Sequence, residues 1–416
     1  MRWIWVIGVA AWLAGCAGPR ETLRPASASA YPVLFVHGLG GSVSGWDEAG
    51  VFDTFRAAGY RYGGTFDGLP EGGVEFVPAG PGAGGDVFGL NVADPYASMD
   101  DWADDVEDAI DGTLAVTGAP ALVVVGHSAG GVAAMEVVRR RGETSGIRQI
   151  VTVAAPLGGS RLADLATRLN ELTGLRKIPG LDIPLDAPAV RDLQSTGNSD
   201  FLQRLEAGRY PSDTEYVSVI VEGDPLRVAE LLDLEGVLSD SGRSRLASRF
   251  MSLLIGGRND GVIRIEDQTP ARYDAFYGPT DLRLVEVDAR SATHRESESD
   301  GVGLIAALSA PGANVVDSRR EGRRWSVDIE TAGPLDVVLW DGTRAVHAQR
   351  TGAYERSGTG FVRYEATGVD ADPEVYARPA FSADVQVLVG TAGRIPEAVF
   401  QSFDLKSEAG PIQELR

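Results

Sequence analysis

The strongest constraint on how this chain can fold is a set of short, nearly unbroken apolar runs spaced by helical patterns. Val33-Leu34-Phe35-Val36, Ala121 to Val125, Ile150 to Ala154 and Tyr216 to Val221 are four such runs. Each is strand-length and rich in β-branched residues, so each reads as a strand covered on both faces. Between them the period becomes helical. In Ser98 to Ile110, Trp102, Val106, Ala109 and Ile110 share one face and aspartates occupy the other. Ser98 can cap this helix, and Asp100 and Asp101 suit its positive end. The acidic face reads as a solvated face. Buried strands alternating with helices predict an α/β architecture, a mostly parallel sheet with helices on both faces.

Composition fits two domains. The chain has 416 residues, of which 44% are apolar. Residues 31–310 are expected to form the α/β domain. Within it, 160–215 is helical in pattern but broken by Ile178-Pro179-Gly180 and Ile183-Pro184, and reads as a helical cap over a sheet edge. Residues 62–92 are rich in Gly and Pro. No strand is read there, and Gly80 to Gly85 reads as a surface loop, because no Lys-Ser/Thr follows to make a phosphate loop. After about Pro311 the texture changes. Trp325, Val327 and Ile329 alternate with polar residues, Leu335 to Trp340 runs into the hairpin signal Asp341-Gly342, and Phe361 to Tyr364 and Val385 to Val389 also read as strands. Residues 311–416 are therefore expected to form a small C-terminal all-β domain.

The formal net charge is −21. Such a surface repels phosphate backbones, so nucleic acid is excluded as a partner. It also disfavours anionic substrates unless a local patch, such as Arg161, Arg168, Arg176 and Lys177, overrides it. The only cysteine, Cys16, leaves the folded part without a disulfide or a thiolate metal site. Arg2 precedes an apolar run, Trp3 to Leu13, too short to span a bilayer, and the run ends Leu13-Ala14-Gly15-Cys16. This ending resembles the lipobox of bacterial lipoproteins. The resemblance implies a signal peptide over 1–16, acylation of Cys16, a flexible tether over 17–30 and membrane attachment in the cell envelope. Ala17 after the cysteine points to the outer membrane.

Gly126-His127-Ser128-Ala129-Gly130 matches G-x-S-x-G. Glycine is abundant, at 52 residues, so the pattern alone is weak. Its context strengthens it: an apolar strand precedes it and a small-residue helical stretch, Gly131 to Arg141, follows. Strand, sharp turn and helix are what a nucleophile elbow requires. His37-Gly38-Leu39-Gly40-Gly41 follows the first strand, where a glycine-rich turn can aim a backbone N–H at a developing oxyanion. The amides of Leu39 and Ala129 are the expected pair.

Together these motifs resemble the bacterial lipase and esterase branch of the α/β-hydrolases, over roughly residues 31–300. Val153-Ala154-Ala155-Pro156-Leu157-Gly158-Gly159-Ser160 also looks like the segment after the next strand in that branch. The resemblance implies an α/β-hydrolase fold, ester or lipid substrates, no cofactor, and a triad in the order Ser, acid, His. Of the four histidines, His37 and His127 lie in or before the elbow, and His347 lies in the expected β domain. His294 is the expected base. Two acids are candidates. Asp260, in Asn259-Asp260-Gly261-Val262, resembles the element that carries the acid in many lipases of this branch. Asp224, after the fourth strand, is the other, and it can instead cap a helix. Glu296, Glu298 and Asp300 could supply oxygens to a calcium ion, but read as a solvated acidic loop. An acyltransferase or thioesterase with the same triad, and a catalytically silent binding lipoprotein, are the alternatives.

Overall fold

The computed structural model describes residues 31–80, 84–174, 176, 183–222, 258–260, 262–277, 284–290, 304, 307–308, 314–331, 333, 335–356, 359–369, 373–379, 386–387 and 413–415. Cys16, Asp224, His294, Glu296, Glu298 and Asp300 lie outside the described residues.

The apolar runs form the centre of a sheet. Its strands are β1 (Val33–Val36), β2 (Tyr62–Gly68), β3 (Val74–Pro78), β4 (Val87–Asn91), β5 (Leu122–His127), β6 (Ile147–Val153), β7 (Glu215–Glu222) and β8 (Leu284–Arg290), with β15 (Gln386–Val387) at one edge. The order is β15-β8-β7-β6-β5-β1-β4-β2-β3. All neighbours from β8 to β2 are parallel, and only the edge strands β3 and β15 run antiparallel.

Residues 62–92 correct the sequence reading, because three strands lie there. Their glycines are packing requirements rather than loop signals. A Cβ on Gly63 would collide with the Phe88 ring, and one on Gly89 would lie 2.6 Å from the Val43 methyls. Gly80 and Gly84 face open space, as a surface loop should.

Alternate residues of the strands point to opposite faces. Leu34, Val36, Val124 and Ile150 meet α3 (Met99–Thr117), α4 (Ala129–Arg141) and α7 (Asp200–Glu206). The α3 prediction holds in detail. Ser98 and Asp101 form a reciprocal capping box, and Trp102, Val106, Ala109 and Ile110 are buried. The aspartates on its outer face are not simply solvated. Arg140 of α4 pairs with Asp100 and Asp104, and Arg141 with Glu107 and Asp111. The three closing arginines of α4 also suit the negative end of that helix.

On the other face Val33, Phe35, Val123 and Val151 meet α1 (Val43–Glu48) and α2 (Val51–Ala57), and also a second sheet. Its strands are β9 (Asn314–Glu321), β10 (Arg324–Glu330), β11 (Leu335–Trp340), β12 (Ala345–Arg356), β13 (Thr359–Thr367), β14 (Glu374–Pro379) and β16 (Gln413–Leu415). They pair antiparallel in the order β16-β14-β11-β12-β13-β10-β9. Asp341 turns the β11–β12 hairpin by accepting the N–H groups of Thr343 and Arg344. Trp325, Val327 and Ile329, with Val337, Leu339 and Val362, enter the same core as the first sheet. Arg148 on β6 pairs with Glu215 and with Glu330 of β10. The Gly360 N–H donates to the Tyr31 hydroxyl. So the β region shares its core with the α/β sheet, and a sheet provides part of the cover that helices were expected to give. The strand read at Val385 to Val389 also belongs elsewhere: β15 extends the first sheet.

The expected cap divides. Among the described residues, α5 (Arg161–Thr173) and α6 (Pro188–Asp192) bring Ala166, Leu185, Ala187 and Val190 together, packed by Leu39 and Tyr96. Leu39 and Tyr96 follow β1 and β4, so these helices cover central strand ends, not an edge. The remaining helix, α7, buries Phe201, Leu202 and Leu205 in the main core.

The shared core makes a prediction. Truncation of a large buried aromatic should cost about 3–5 kcal/mol. Trp325→Ala should therefore lower stability by that amount in the whole protein, with far-UV circular dichroism and tryptophan fluorescence tracing one transition in denaturant. An early separate transition of the second sheet would contradict the shared core.

Candidate active site

The sequence reading placed a nucleophile at Ser128, and the backbone there is unusual. Ser128 lies between β5 and α4 with φ 51° and ψ −122°. Ser128 and Ala154 are the non-glycine residues with positive φ among those described. Such conformations cost roughly 1–3 kcal/mol and persist where the surroundings enforce them. The enforcement is visible. The Ser128 N–H donates to the Val153 carbonyl at 2.9 Å, carrying the β5–β6 pairing through the turn. A Cβ on Gly126 would lie 2.5 Å from the Gly131 nitrogen, and one on Gly130 2.5 Å from the His37 carbonyl oxygen. A Cβ on Gly131 would lie 2.7 Å from that of Ala155. Only glycine lets α4 start this close to β1 and β6.

The His37–Gly41 turn abuts this elbow. A Cβ on Gly38 would lie 2.7 Å from His127 Nδ1 and 3.0 Å from the Ser128 Cβ. The turn closes through Gly41 N–H to the Gly38 carbonyl at 2.9 Å. His37 braces it: Nε2 accepts the Val92 N–H, so Nδ1 carries the proton and donates to the Gly38 carbonyl at 2.8 Å. The His37 ring meets Trp102 edge-on, with centroids 5.2 Å apart. His37 is thus committed to the turn. His127 is buried against Trp46. Leu39 sits at the apex of the turn beneath the cap cluster. Ala129 opens α4, where a helix leaves its first amides to other partners. The amides named from the sequence therefore belong to two abutting turns next to Ser128.

Asp260 is completely buried. One carboxylate oxygen accepts the N–H groups of Val262 and Ile263 at 2.9 and 2.8 Å. The other accepts from Gln268 Nε2 at 3.2 Å, and the Gln268 amide pairs with Val221 near the end of β7. In sheet order β7 is two strands from β5, and both Val221 and His127 lie at C-terminal strand ends. Ligand sites of parallel α/β sheets lie at that edge. Ser160, the cap of α5, donates its hydroxyl to the Val262 carbonyl, tying the acid loop to the cap.

Sequence reasoning missed two supports of this loop. Gln268 carries no motif. Asp267 bridges Arg264 and Arg272, and its carbonyl accepts the Gly158 N–H. Burial pushes the Asp267 carboxyl above its ordinary range, while Arg264 and Arg272 pull it down. The preferred acid of the sequence reading is thus linked through Gln268 to the C-terminal end of β7, whereas His294 and Asp224 lie outside the described residues. His347 is exposed on β12, opposite Val338 in the second sheet. No group of three or more His, Cys, Asp or Glu able to hold a metal occurs among the described residues.

Parallel central strands, an elbow after β5 and a buried acid between β7 and β8 define the architecture. This is the α/β-hydrolase fold. No family model matches the chain, and no curated protein matches it. Among solved structures it is similar to the mature lipase BlEst2 of Bacillus licheniformis, at 19% identity and a TM-score of 0.43, covering 70% of this chain and 93% of that one. It is similar to the metagenomic carboxyl esterase MGS0156 at 17% identity and a TM-score of 0.39, with 68% and 70% covered. Phospholipase PlaB from Legionella pneumophila gives 11% identity and a TM-score of 0.39, over 85% of this chain and 87% of that chain. The fold assignment rests on the strand order and the elbow, not on these likenesses.

Gly38→Ala should keep the fold and disturb the site, because its new methyl meets Ser128. A misplacement of about 1 Å at a reacting group can cost about 10²-fold. Turnover of p-nitrophenyl esters should fall by about that factor while circular dichroism is unchanged. A parental rate would show that the turn does not abut the reacting centre.

Proposed function

We propose that this chain is a serine esterase or lipase acting on neutral, apolar acyl esters. The observation that carries the reading is the left-handed backbone of Ser128 at the junction of β5 and α4. That geometry lifts a serine side chain clear of the sheet at a helix start, where developing negative charge is favoured. His294 takes the Ser128 hydroxyl proton as Oγ attacks the ester carbonyl. The amides of Leu39 and Ala129 stabilise the oxyanion. Collapse expels the alcohol, which receives the proton from His294. Water, deprotonated by His294, then hydrolyses the acyl-enzyme. Asp260 orients His294. The reading of His294 is supported by the commitments of the other histidines: His37 to its turn, His127 to Trp46 and His347 to the second sheet. The chemistry needs no cofactor.

The apolar-acyl preference is supported by the net charge of −21 and by the cap. Leu169 and Ile183 pack in the cluster that touches Leu39, and Leu172 on α5 is 84% exposed. The apolar cluster that includes Leu169 and Ile183 and touches Leu39 suits an acyl chain beside that turn. Leu175, Ile178 and Leu181 lie outside the described residues.

Ser128→Ala should abolish ester hydrolysis and fluorophosphonate labelling without unfolding the protein. Asp260→Asn should lower kcat by about 10⁴, the scale for losing a triad carboxylate, and Asp224→Asn should have little effect. A folded Ser128→Ala protein with near-parental turnover would sink the nucleophile. An inactive Asp224→Asn beside an active Asp260→Asn would reassign the acid.

We further propose that Cys16 is acylated and holds the protein at the envelope membrane, with Ala17 directing it to the outer membrane. Cys16→Ser should move the protein from membrane to soluble fractions and remove incorporated palmitate. A variant that still pellets with membranes, beside a parent without fatty acid, would rule the anchor out.

A further inference from the structure

We infer that Gln268 is a positioning residue that fixes the Asp260 carboxylate to the sheet. This rests on the esterase reading of Ser128 and Asp260. Gln268 is completely buried and follows the short 3-10 turn Ile265–Asp267. Its amide pairs with Val221 at two points, as another strand residue would. The Val221 N–H donates to Oε1 at 2.7 Å, and Nε2 donates to the Val221 carbonyl at 2.9 Å.

That pairing sets the direction of the second Nε2 hydrogen. It points to Asp260 Oδ2 at 3.2 Å, with the Ile263 carbonyl at 3.4 Å sharing it. The Ile263 carbonyl also accepts the Asp260 N–H at 3.1 Å. The other carboxylate oxygen is held by N–H groups of its own turn. Those bonds shape the turn, while Arg258 to Glu222 at its rim and Ser160 to the Val262 carbonyl link it to its surroundings. Gln268 joins the turn to the sheet, and the same sheet carries Ser128. A triad carboxylate acts by orienting the imidazole, so its own orientation has to be fixed.

The amide is also the right group chemically. At this place one atom must accept from an N–H while its neighbour donates to two or three oxygens. Ionised Glu cannot donate, and its charge would oppose Asp260. Charged groups on the neighbouring segments are paired among themselves: Arg258 with Glu222, Arg264 and Arg272 with Asp267, and Arg264 with Glu266. His294, the partner proposed for Asp260, lies outside the described residues.

The test compares Gln268→Met and Gln268→Glu in the full chain. Labelling by a fluorophosphonate, kcat and KM for a p-nitrophenyl ester, and thermal unfolding are measured at acid, neutral and alkaline pH. Gln268→Met should lower kcat by about ten- to hundredfold, the scale for one hydrogen bond to a charged group, with KM nearly unchanged. In Gln268→Glu the protonated acid can donate to Asp260 and the ionised form cannot. Burial and Asp260 raise its pKa. The activity of Gln268→Glu relative to Gln268→Met should therefore be highest at acid pH and vanish as pH rises. A purely structural role would move unfolding and leave that ratio flat. A flat ratio, or a Gln268→Met protein with parental kcat, overturns the proposal. If Gln268→Met does not fold, the ratio of Gln268→Glu to parent across the same pH range decides in the same way. A parent that is never labelled at Ser128 overturns the esterase reading itself, a failure separate from that of Gln268.

Discussion

The close approach of α4 to β1 and β6 is the constraint from which the rest of this structure follows. It exists because Gly126, Gly130 and Gly131 lack side chains where Cβ atoms would meet backbone or Ala155. It holds Ser128 at φ 51°, a conformation a serine adopts only under compulsion. The compulsion is the sheet itself, through the Ser128 N–H to Val153 carbonyl bond and the His37 and Val36 carbonyls packed beneath Gly130. Strain of about 1–3 kcal/mol is small beside the burial of Val123, Val125, Val151 and Val153 around it, where each fully buried side chain contributes about 1.5–3 kcal/mol.

The acid side of the site is built differently. Asp260 sits in a tight turn closed by the Ile265 N–H to the Arg258 carbonyl and by its own N–H to the Ile263 carbonyl. Three side chains add to that backbone pairing: Gln268 bonds to β7, Ser160 to the Val262 carbonyl, and Asp267 lies between two arginines. Two of these reach other segments directly, one the sheet and one the start of α5. Asp267 adds a third link through its carbonyl to Gly158 and through Arg272 to Thr196. The Asp260 turn, the start of α5 and the Val153–Ser160 segment are therefore linked to one another by hydrogen bonds. Ser128 is held by backbone contacts of the sheet and α4, and Asp260 by backbone N–H groups of its own turn together with side chains that tie that turn to other segments.

This difference explains what the sequence made legible. Elements fixed by backbone geometry leave local signatures. The Ser98 cap of α3, the apolar core strands, the elbow glycines and the Asp341-Gly342 turn were all readable from a few adjacent residues. Elements fixed by distant partners leave none. Gln268 meets Val221 across 47 positions and looks like any glutamine. Strands β2 to β4 were hidden because Gly63, Gly64 and Gly89 read as loop residues when considered alone. They are required only once Phe88, Val77 and Val43 are known to lie against them. The second sheet was legible as strands, because Trp325, Val327 and Ile329 alternate. Its sharing of a core with the first sheet was not, since alternation says that a face is buried but not against what.

That sharing bears on how the site is presented. The second sheet holds the start of β1, through the Gly360 N–H to the Tyr31 hydroxyl, while β1 itself runs on to the His37 turn at the other end. Tyr31 and Ser128 thus lie at opposite ends of the parallel strands. Under the proposed anchor, residues 17–30 join Cys16 to the end that faces away from the site. Fully extended at ~3.3–3.6 Å per residue, that stretch reaches about 45–50 Å. A reach of that order is comparable with the diameter of a domain of this size. If Cys16 is anchored as proposed, a stretch of that length would let the Ser128 edge of the sheet turn toward the membrane and would keep the domain within about one molecular diameter of it.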